Sequence, residues 1–240
     1  MRRADLLLVE RGLFESRAKA RAAIEAGGVT ADGVAVVRAA QQISTDAEIV
    51  APPAHPWVGR GGLKLDHALG LWPIAVRDAV VLDIGASTGG FTEVCLARGA
   101  AQVFAVDVGH GQLHSRLRAD PRVTDLSGLD ARDLTSALVP RAPSLIVCDA
   151  SFIGLAKVLP AALSLAAPGA ELVALVKPQF EVGPDHVGKG GVVRDEQARA
   201  GALRDVVDWL EARGWPVKVT ADSPILGGEG AREYLLWAMR

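Results

Sequence analysis

Four charged residues stand where apolar ones are expected, or at the ends of apolar runs. Lys64 lies within residues 63–69, whose spacing predicts an amphipathic helix. Asp149 follows the run 144–148, Lys177 follows 172–176, and Glu233 opens the run that continues through 234–239. A lone lysine at a strand end is usually just solvated. Two lysines and two acids converge on one site if their strands share the carboxyl edge of one sheet. The chemistry such a group performs is activation of a hydroxyl. A lysine held near carboxylates and partly desolvated orients a hydroxyl and, in its neutral form, accepts its proton. Asp149 and Glu233 would then set the charge state and position of Lys64 and Lys177.

A second pattern points to a ligand. Residues 80–100 read VVLDIGASTGGFTEVCLARGA. An apolar strand ends at Asp83, and a turn with Gly85, Gly89 and Gly90 precedes a helix. Glycine lets backbone approach a ligand closely. The spacing is G-x-x-x-G-G rather than the G-x-G-x-x-G of dinucleotide binding. The next strand ends at Asp107, placed to accept both hydroxyls of a ribose. Residues 183–190 read GPDHVGKG, close to a phosphate loop, but Gly190 replaces the hydroxyl residue that would hold magnesium. That stretch reads as a mobile lid or substrate loop.

The elements that must position these residues alternate. Strands are predicted at 79–84, 102–106, 122–125, 144–148, 172–176, 217–221 and 234–239. Helices are predicted at 63–69, 91–98, 155–166 and 196–213. This is an α/β, doubly wound, mostly parallel sheet. Residues 1–50 differ. A short helix at 5–11 is followed by one capped by Ser16, with Ala20, Ala23 and Ile24 as its apolar stripe. Asp32-Gly33 is a hairpin turn signal. Three prolines in 51–56 make an extended linker, with Trp57 as its anchor. The expected division is 1–53, a linker at 54–59, and 60–240.

Composition bounds the reading. With 50% hydrophobic and 22% charged residues, disorder is excluded as the main state. A net charge of −2 excludes a uniformly basic nucleic-acid binder, though not a local patch. Residues 1–24 hold six basic residues against three acidic ones. Arg2, Arg3, Arg11, Arg17, Lys19 and Arg21, with Arg60 later, are the candidate phosphate contacts. Cys95 and Cys148 are too few for a disulfide scaffold or a four-ligand zinc site, and His110 and His114 lack partners at ligand spacing, so no metal is expected. The tryptophans at 72, 209, 215 and 237 read as core. The most apolar stretch, 158–176, contains Pro160, Pro168, Gly169 and Glu171, so no membrane span is expected. The basic start is interrupted by Asp5, Glu10 and Arg11, so no secretory signal is read, and a cytoplasmic location follows.

Two resemblances sharpen this. The acids at the strand ends, Asp107, Asp130 and Asp149, in register with the Gly-rich turn, resemble those of S-adenosylmethionine-dependent methyltransferases. Residues 1–50 resemble an RNA-binding domain shared with a small-subunit ribosomal protein, the S-four type. The matching residues are Arg3, Asp5, Gly12-Leu13, Ser16-Arg17, Ala20, Ile24, Gly28-Val29 and Asp32-Gly33. Trp57-Val58-Gly59-Arg60-Gly61, the GASTGGFTE turn, residues 107–113, residues 148–153 and residues 176–181 are similar to the TlyA family, along essentially the whole chain.

That family joins an S-four-type domain to an FtsJ-like, Rossmann-like catalytic domain, and its members are ribosomal RNA 2′-O-methyltransferases often labelled hemolysins. The resemblance implies a Lys-Asp-Lys-Glu tetrad at Lys64, Asp149, Lys177 and Glu233. It implies S-adenosylmethionine contacts from Asp83, Gly85, Ser87, Thr88, Gly89, Gly90, Phe91, Asp107, Val108, Asp130, Ala131, Asp149 and Phe152. It implies methylation of a cytidine ribose in ribosomal RNA. The short N-terminus, without a long basic extension, points to the small subunit. A ribose 2′-hydroxyl is a poor nucleophile because it ionises only at high pH, which is why a base or cation must stand beside it. Glu229 departs from the family pattern, where a serine is expected. The competing readings are a membrane-active hemolysin, a cytosine-carbon methyltransferase using Cys148, and a non-catalytic RNA-binding protein. Strand alternation sends Cys148 into the packing if Asp149 faces the site.

Overall fold

Separate apolar cores organise two stretches of chain. The computed structural model describes residues 1–240, with Met1–Pro56 as one unit and Trp57–Arg240 as a second. The first unit runs β1 (Arg2–Arg3), α1 (Ala4–Glu10), α2 (Arg17–Glu25), β2 (Thr30–Ala31), β3 (Val34–Ala35), β4 (Gln42–Ile43) and β5 (Ile49–Val50). Ser16 takes an extended conformation and its side chain accepts from the Lys19 N–H, which starts α2. Asp32 and Gly33 both have positive φ, 51° and 75°, as the tight turn between β2 and β3 requires. Leu7, Leu8, Ala20, Ile24 and Val29 fill the core between the helices and the sheet. The β1–β4 pair was not foreseen, because two-residue strands leave no alternation to read.

The second unit contains α3 (Gly61–Leu71), β6 (Val80–Ile84), α4 (Gly90–Ala97), β7 (Gln102–Asp107), α5 (Ser115–Arg118), β8 (Val123–Ser127) and β9 (Leu145–Cys148). It continues with α6 (Leu155–Val158), α7 (Pro160–Leu165), β10 (Glu171–Val176), α8 (Pro178–Glu181), α9 (Glu196–Glu211), β11 (Val217–Asp222) and β12 (Tyr234–Met239). The seven strands order as β11-β12-β10-β9-β6-β7-β8. The pairs from β10 to β8 are parallel, and β12 is antiparallel to both neighbours. This is the doubly wound α/β arrangement. The single helix expected over 155–166 is two, because Pro160 has no N–H and starts a new one.

Each sheet face buries its own core. Leu82, Ile84, Ile146, Cys148 and Leu172 pack toward α6, α7 and α9, whereas Val81, Val147, Val173 and Leu235 pack toward α3 and α4. Trp72 and Trp215 are buried as expected. Trp209 and Trp237 are only half-buried, which corrects their reading as core. Each meets a charged group: the Trp237 indole N–H donates to Glu171 at 3.0 Å, and the Arg213 guanidinium lies 4.3 Å over the face of the Trp209 ring. No helix is long and apolar enough to cross a membrane.

Candidate active site

The period of a strand explains how the charged group assembles. On β9 and β10, Val147, Val173 and Leu175 face α3, so two residues past Val147 and Leu175 the same face receives Asp149 and Lys177. On β12, Leu235 faces α3, and two residues earlier lies Glu233. Lys177 and Glu233 come one step beyond the Val176–Tyr234 pair of the antiparallel ladder. Lys64 reaches the same place from α3, among Leu65, Ala68 and Leu69 on that helix's buried side.

The four meet. The Lys64 ammonium lies 2.5 Å from Glu233 Oε2 and 3.8 Å from Asp149 Oδ1. The Lys177 ammonium lies 2.6 Å from Asp149 Oδ1 and donates to the Asp149 carbonyl at 3.0 Å and to Ser151 Oγ at 2.8 Å. Lys64, Lys177 and Glu233 are each 7% exposed or less. Unpaired buried charge is costly, so two lysines and two acids placed together offset one another's burial and fix one another in position.

Two clefts open at this edge. A polar cleft of about 340 Å³ contains the four charged groups, with Gly59, Arg60 and Gly61 at the start of α3 and Gly227 and Gly228 before β12. A larger cleft of about 500 Å³ is mostly apolar, with Val108, Leu129, Ala131, Ile153 and Val158 along it and Asp107 and Asp130 beside them. Gly85, Ser87, Asp149 and Ser151 line both clefts. The first two follow β6 and the last two follow β9. These are the neighbouring strands at which the sheet order reverses, the place where open α/β sheets bind ligands. Gly85 has φ +80°, and a Cβ there would stand 2.8 Å from the Ala150 Cα, so only glycine lets the two turns pass this closely.

The predicted ligand residues divide. Gly85, Ser87, Asp107, Val108, Asp130, Ala131, Asp149 and Phe152 line the larger cleft. Thr88, Gly90 and Phe91 line only the polar one, because α4 begins at Gly90 and carries the chain away. Asp83 and Gly89 line neither. At Gly89 a Cβ would run into the side chains of Leu113 and Leu117, so this glycine serves packing. Asp83 is fully buried beneath the turn, where the Thr92 hydroxyl donates to it at 2.6 Å. Burial pushes its carboxyl up to about 7, with the Asp149 charge adding to the rise.

The Asp107 carboxylate is held by the Ser87 N–H at 2.8 Å and the Gly109 N–H at 2.7 Å. Asp130 accepts from Arg132, whose guanidinium lowers the carboxyl to about 2. Phe152 has φ 66°, is 91% exposed, and lies 5.3 Å from the Phe180 ring at the cleft mouth. Cys148 faces the opposite core from Asp149, and burial pushes its thiol up to about 12, far from a nucleophile's range.

Ser151 and Glu181 were not singled out by sequence reasoning. Glu181 accepts from the Leu155 N–H at 2.9 Å and so ties the loop after β9 to α8. Burial raises its carboxyl above the usual range. The signal for Ser151 was its place two residues after Asp149, and for Glu181 its place four after Lys177.

The six cations of the first unit singled out from the sequence are each engaged. Arg3 and Arg17 both bind Asp5, at 3.0 and 2.8 Å. Lys19 pairs with Glu15, Arg21 with Glu25 and Arg2 with Glu10. Arg11 donates to the carbonyls of Thr45 and Ala47. In the second unit, Arg60 stands at the polar cleft and donates to the Leu226 carbonyl at 2.9 Å.

Comparison with known proteins gives concordant results. Residues 57–240 match the FtsJ-like methyltransferase family, and residues 2–49 match the S4 domain. A Mycobacterium tuberculosis protein named 16S/23S rRNA (cytidine-2′-O)-methyltransferase TlyA is 48% identical, over 98% of this chain and 88% of that one. Hemolysin A of Brachyspira hyodysenteriae is 38% identical, over 97% of this chain and 98% of that one. A solved structure of a candidate hemolysin from Streptococcus thermophilus superposes with a TM-score of 0.78 at 38% identity, covering 99% of this chain and 88% of that one.

Proposed function

We propose a function from one premise: the chain belongs to the TlyA group of FtsJ-like methyltransferases, with an S4 domain ahead of the catalytic domain. It is an S-adenosylmethionine-dependent enzyme that transfers a methyl group to the 2′-hydroxyl of a cytidine ribose in ribosomal RNA. The observation that carries this reading is the wall shared by the two clefts. A donor in the larger cleft would face an acceptor in the polar one across Gly85, Ser87, Asp149 and Ser151.

The residues present fit that cofactor. The apolar slot beside Val108, Ala131 and Ile153 suits a flat purine. The Asp107 carboxylate, pinned by two backbone N–H groups, suits the ribose hydroxyls. Asp130 suits an exocyclic amine. Bound there, S-adenosylmethionine supplies a methyl group on a sulfonium, which an oxygen attacks in line.

The chain's own residues prepare that oxygen. Lys177, in its neutral form, is the group that finally takes the proton of the acceptor hydroxyl. Asp149 lies between the two ammonium groups and fixes Lys177 beside the shared wall. Glu233 balances Lys64. Fixing the acceptor in line supplies a large share of the rate, because the orientational entropy is lost before the step. Arg60 and the cations of the S4 domain bind RNA phosphates, exchanging weak surface partners for them. An enzyme acting on ribosomal RNA works where ribosomes are built, which places it in the cytoplasm.

The small-subunit target is a finer proposal; the mycobacterial relative's name includes 16S RNA together with 23S. Incubation of the purified protein with methyl-labelled cofactor and each isolated ribosomal subunit tests both levels. The reading expects label in 16S RNA, in a dinucleotide resistant to alkali because its 2′-oxygen is blocked. Label in 23S RNA alone would refute the subunit preference. Alkali-labile label on a base, or no label in RNA, would refute ribose methylation.

A further inference from the structure

Lys177 Nζ donates to Ser151 Oγ at 2.8 Å and to the Asp149 carbonyl at 3.0 Å, and lies 2.6 Å from Asp149 Oδ1 in an ion pair without hydrogen-bond geometry. Glu233 is engaged with Lys64 at 2.5 Å. Asp149 Oδ1 is itself buried, so an acceptor hydroxyl entering the polar cleft meets this network at a partner that is exposed and has capacity left. Among the partners of Lys177, only a hydroxyl both accepts and donates. After accepting from Lys177, Ser151 Oγ keeps its own O–H and a second lone pair. It is also exposed, and it lines both clefts.

We propose that Ser151 is a fifth, positioning member of the site. Its remaining lone pair accepts the O–H of the acceptor, which turns that oxygen's own lone pairs toward the donor cleft; as that oxygen attacks, its proton passes to Ser151 Oγ while the Ser151 proton passes to neutral Lys177 Nζ, 2.8 Å away. This deepens the methyl-transfer reading above and rests on it. The loop does not need Ser151 for its shape. Asp149 N–H donates to the Ile84 carbonyl at 3.0 Å, and Glu181 anchors Leu155 at 2.9 Å. A variant lacking the hydroxyl should therefore fold and bind the cofactor normally.

The test compares Ser151→Ala and Ser151→Thr with wild type, measuring kcat and KM on ribosomal RNA and cofactor affinity by calorimetry. Ser151→Ala should lower kcat about tenfold or more, since a hydrogen bond within a charged network is lost. Its KM for RNA and its cofactor affinity should stay within about twofold, and Ser151→Thr, which keeps the hydroxyl, should recover kcat to within about threefold. The proposal is overturned if Ser151→Ala keeps the wild-type kcat. Equal slowing by both variants, or a loss of cofactor affinity that tracks the loss of kcat, overturns it as well. A wild-type protein that methylates no RNA would instead remove the underlying reading, an outcome distinct from a slow variant beside an active parent.

Discussion

The cations of the two units are held in opposite ways. Lys64 and Lys177 lie buried among Asp149 and Glu233, with charges contributed by a helix and three strand ends. Lys19 and Arg21 lie exposed, each against an acid four residues away on the same stretch of chain. Desolvated charges keep their geometry whatever the salt. Exposed pairs are screened and worth about 0–1 kcal/mol each, so a phosphate can replace the acid at little cost. Buried cations suit chemistry, and exposed ones suit reversible attraction. Asp5 stands between these cases. It is a buried carboxylate held at about 2, mainly by its hydrogen bond with Arg3 and also by Arg17, while both guanidinium groups reach solvent.

The largest effect that can break this contrast is at the buried lysine. Lys177→Ala should reduce methyl transfer on the order of 10³-fold while cofactor binding by calorimetry stays near wild type. Transfer within tenfold of wild type would mean the cluster is structural.

The next effect concerns burial without a partner charge. The Asp83 carboxyl is raised to about 7 in the fold against an ordinary value near 3.8. A raised acid binds its proton more tightly when folded, so it costs nothing below pH 4, costs progressively more up to pH 7, and costs its full amount above. Asp83→Asn should therefore raise stability at pH 8 by at most roughly 4 kcal/mol, a gain that vanishes toward pH 4. Thermal unfolding at the two pH values checks this. An equal loss at both would show that the Thr92 hydrogen bond outweighs the burial.

The smallest effect lies on the exposed side. Arg21→Glu should weaken RNA binding about tenfold at low salt and flatten its salt dependence by about one unit of slope, leaving cofactor binding unchanged. Filter binding over a salt series reads this directly. Parallel loss of cofactor affinity would end the division of labour.

Much of this was legible in the sequence, for a physical reason. Strands buried on both faces read as continuous apolar runs, so a charge at the end of such a run stands out. Lys177, Asp149 and Glu233 were found that way, and Lys64 was found as a charge on an apolar helix face. Residues that act through geometry were not legible. Ser151 is an ordinary small polar residue in a loop, and only its 2.8 Å contact with Lys177 marks it. Asp83, in β6, and Gly89, in the Gly-rich turn, lie next to residues that do line the clefts, and sequence alone does not separate a packing glycine from one a ligand approaches. The pairing of Arg17 with Asp5, twelve residues away, needed α1 and α2 to be placed together.

Single-turnover methyl transfer to ribosomal RNA, measured across RNA concentration for Lys177→Ala and Arg21→Glu, tests the central claim most directly. The account predicts that Arg21→Glu regains the wild-type rate at saturating RNA and low salt, whereas Lys177→Ala stays slow at every concentration. Recovery of Lys177→Ala by excess RNA, or an Arg21→Glu rate that stays low at saturation, would contradict it.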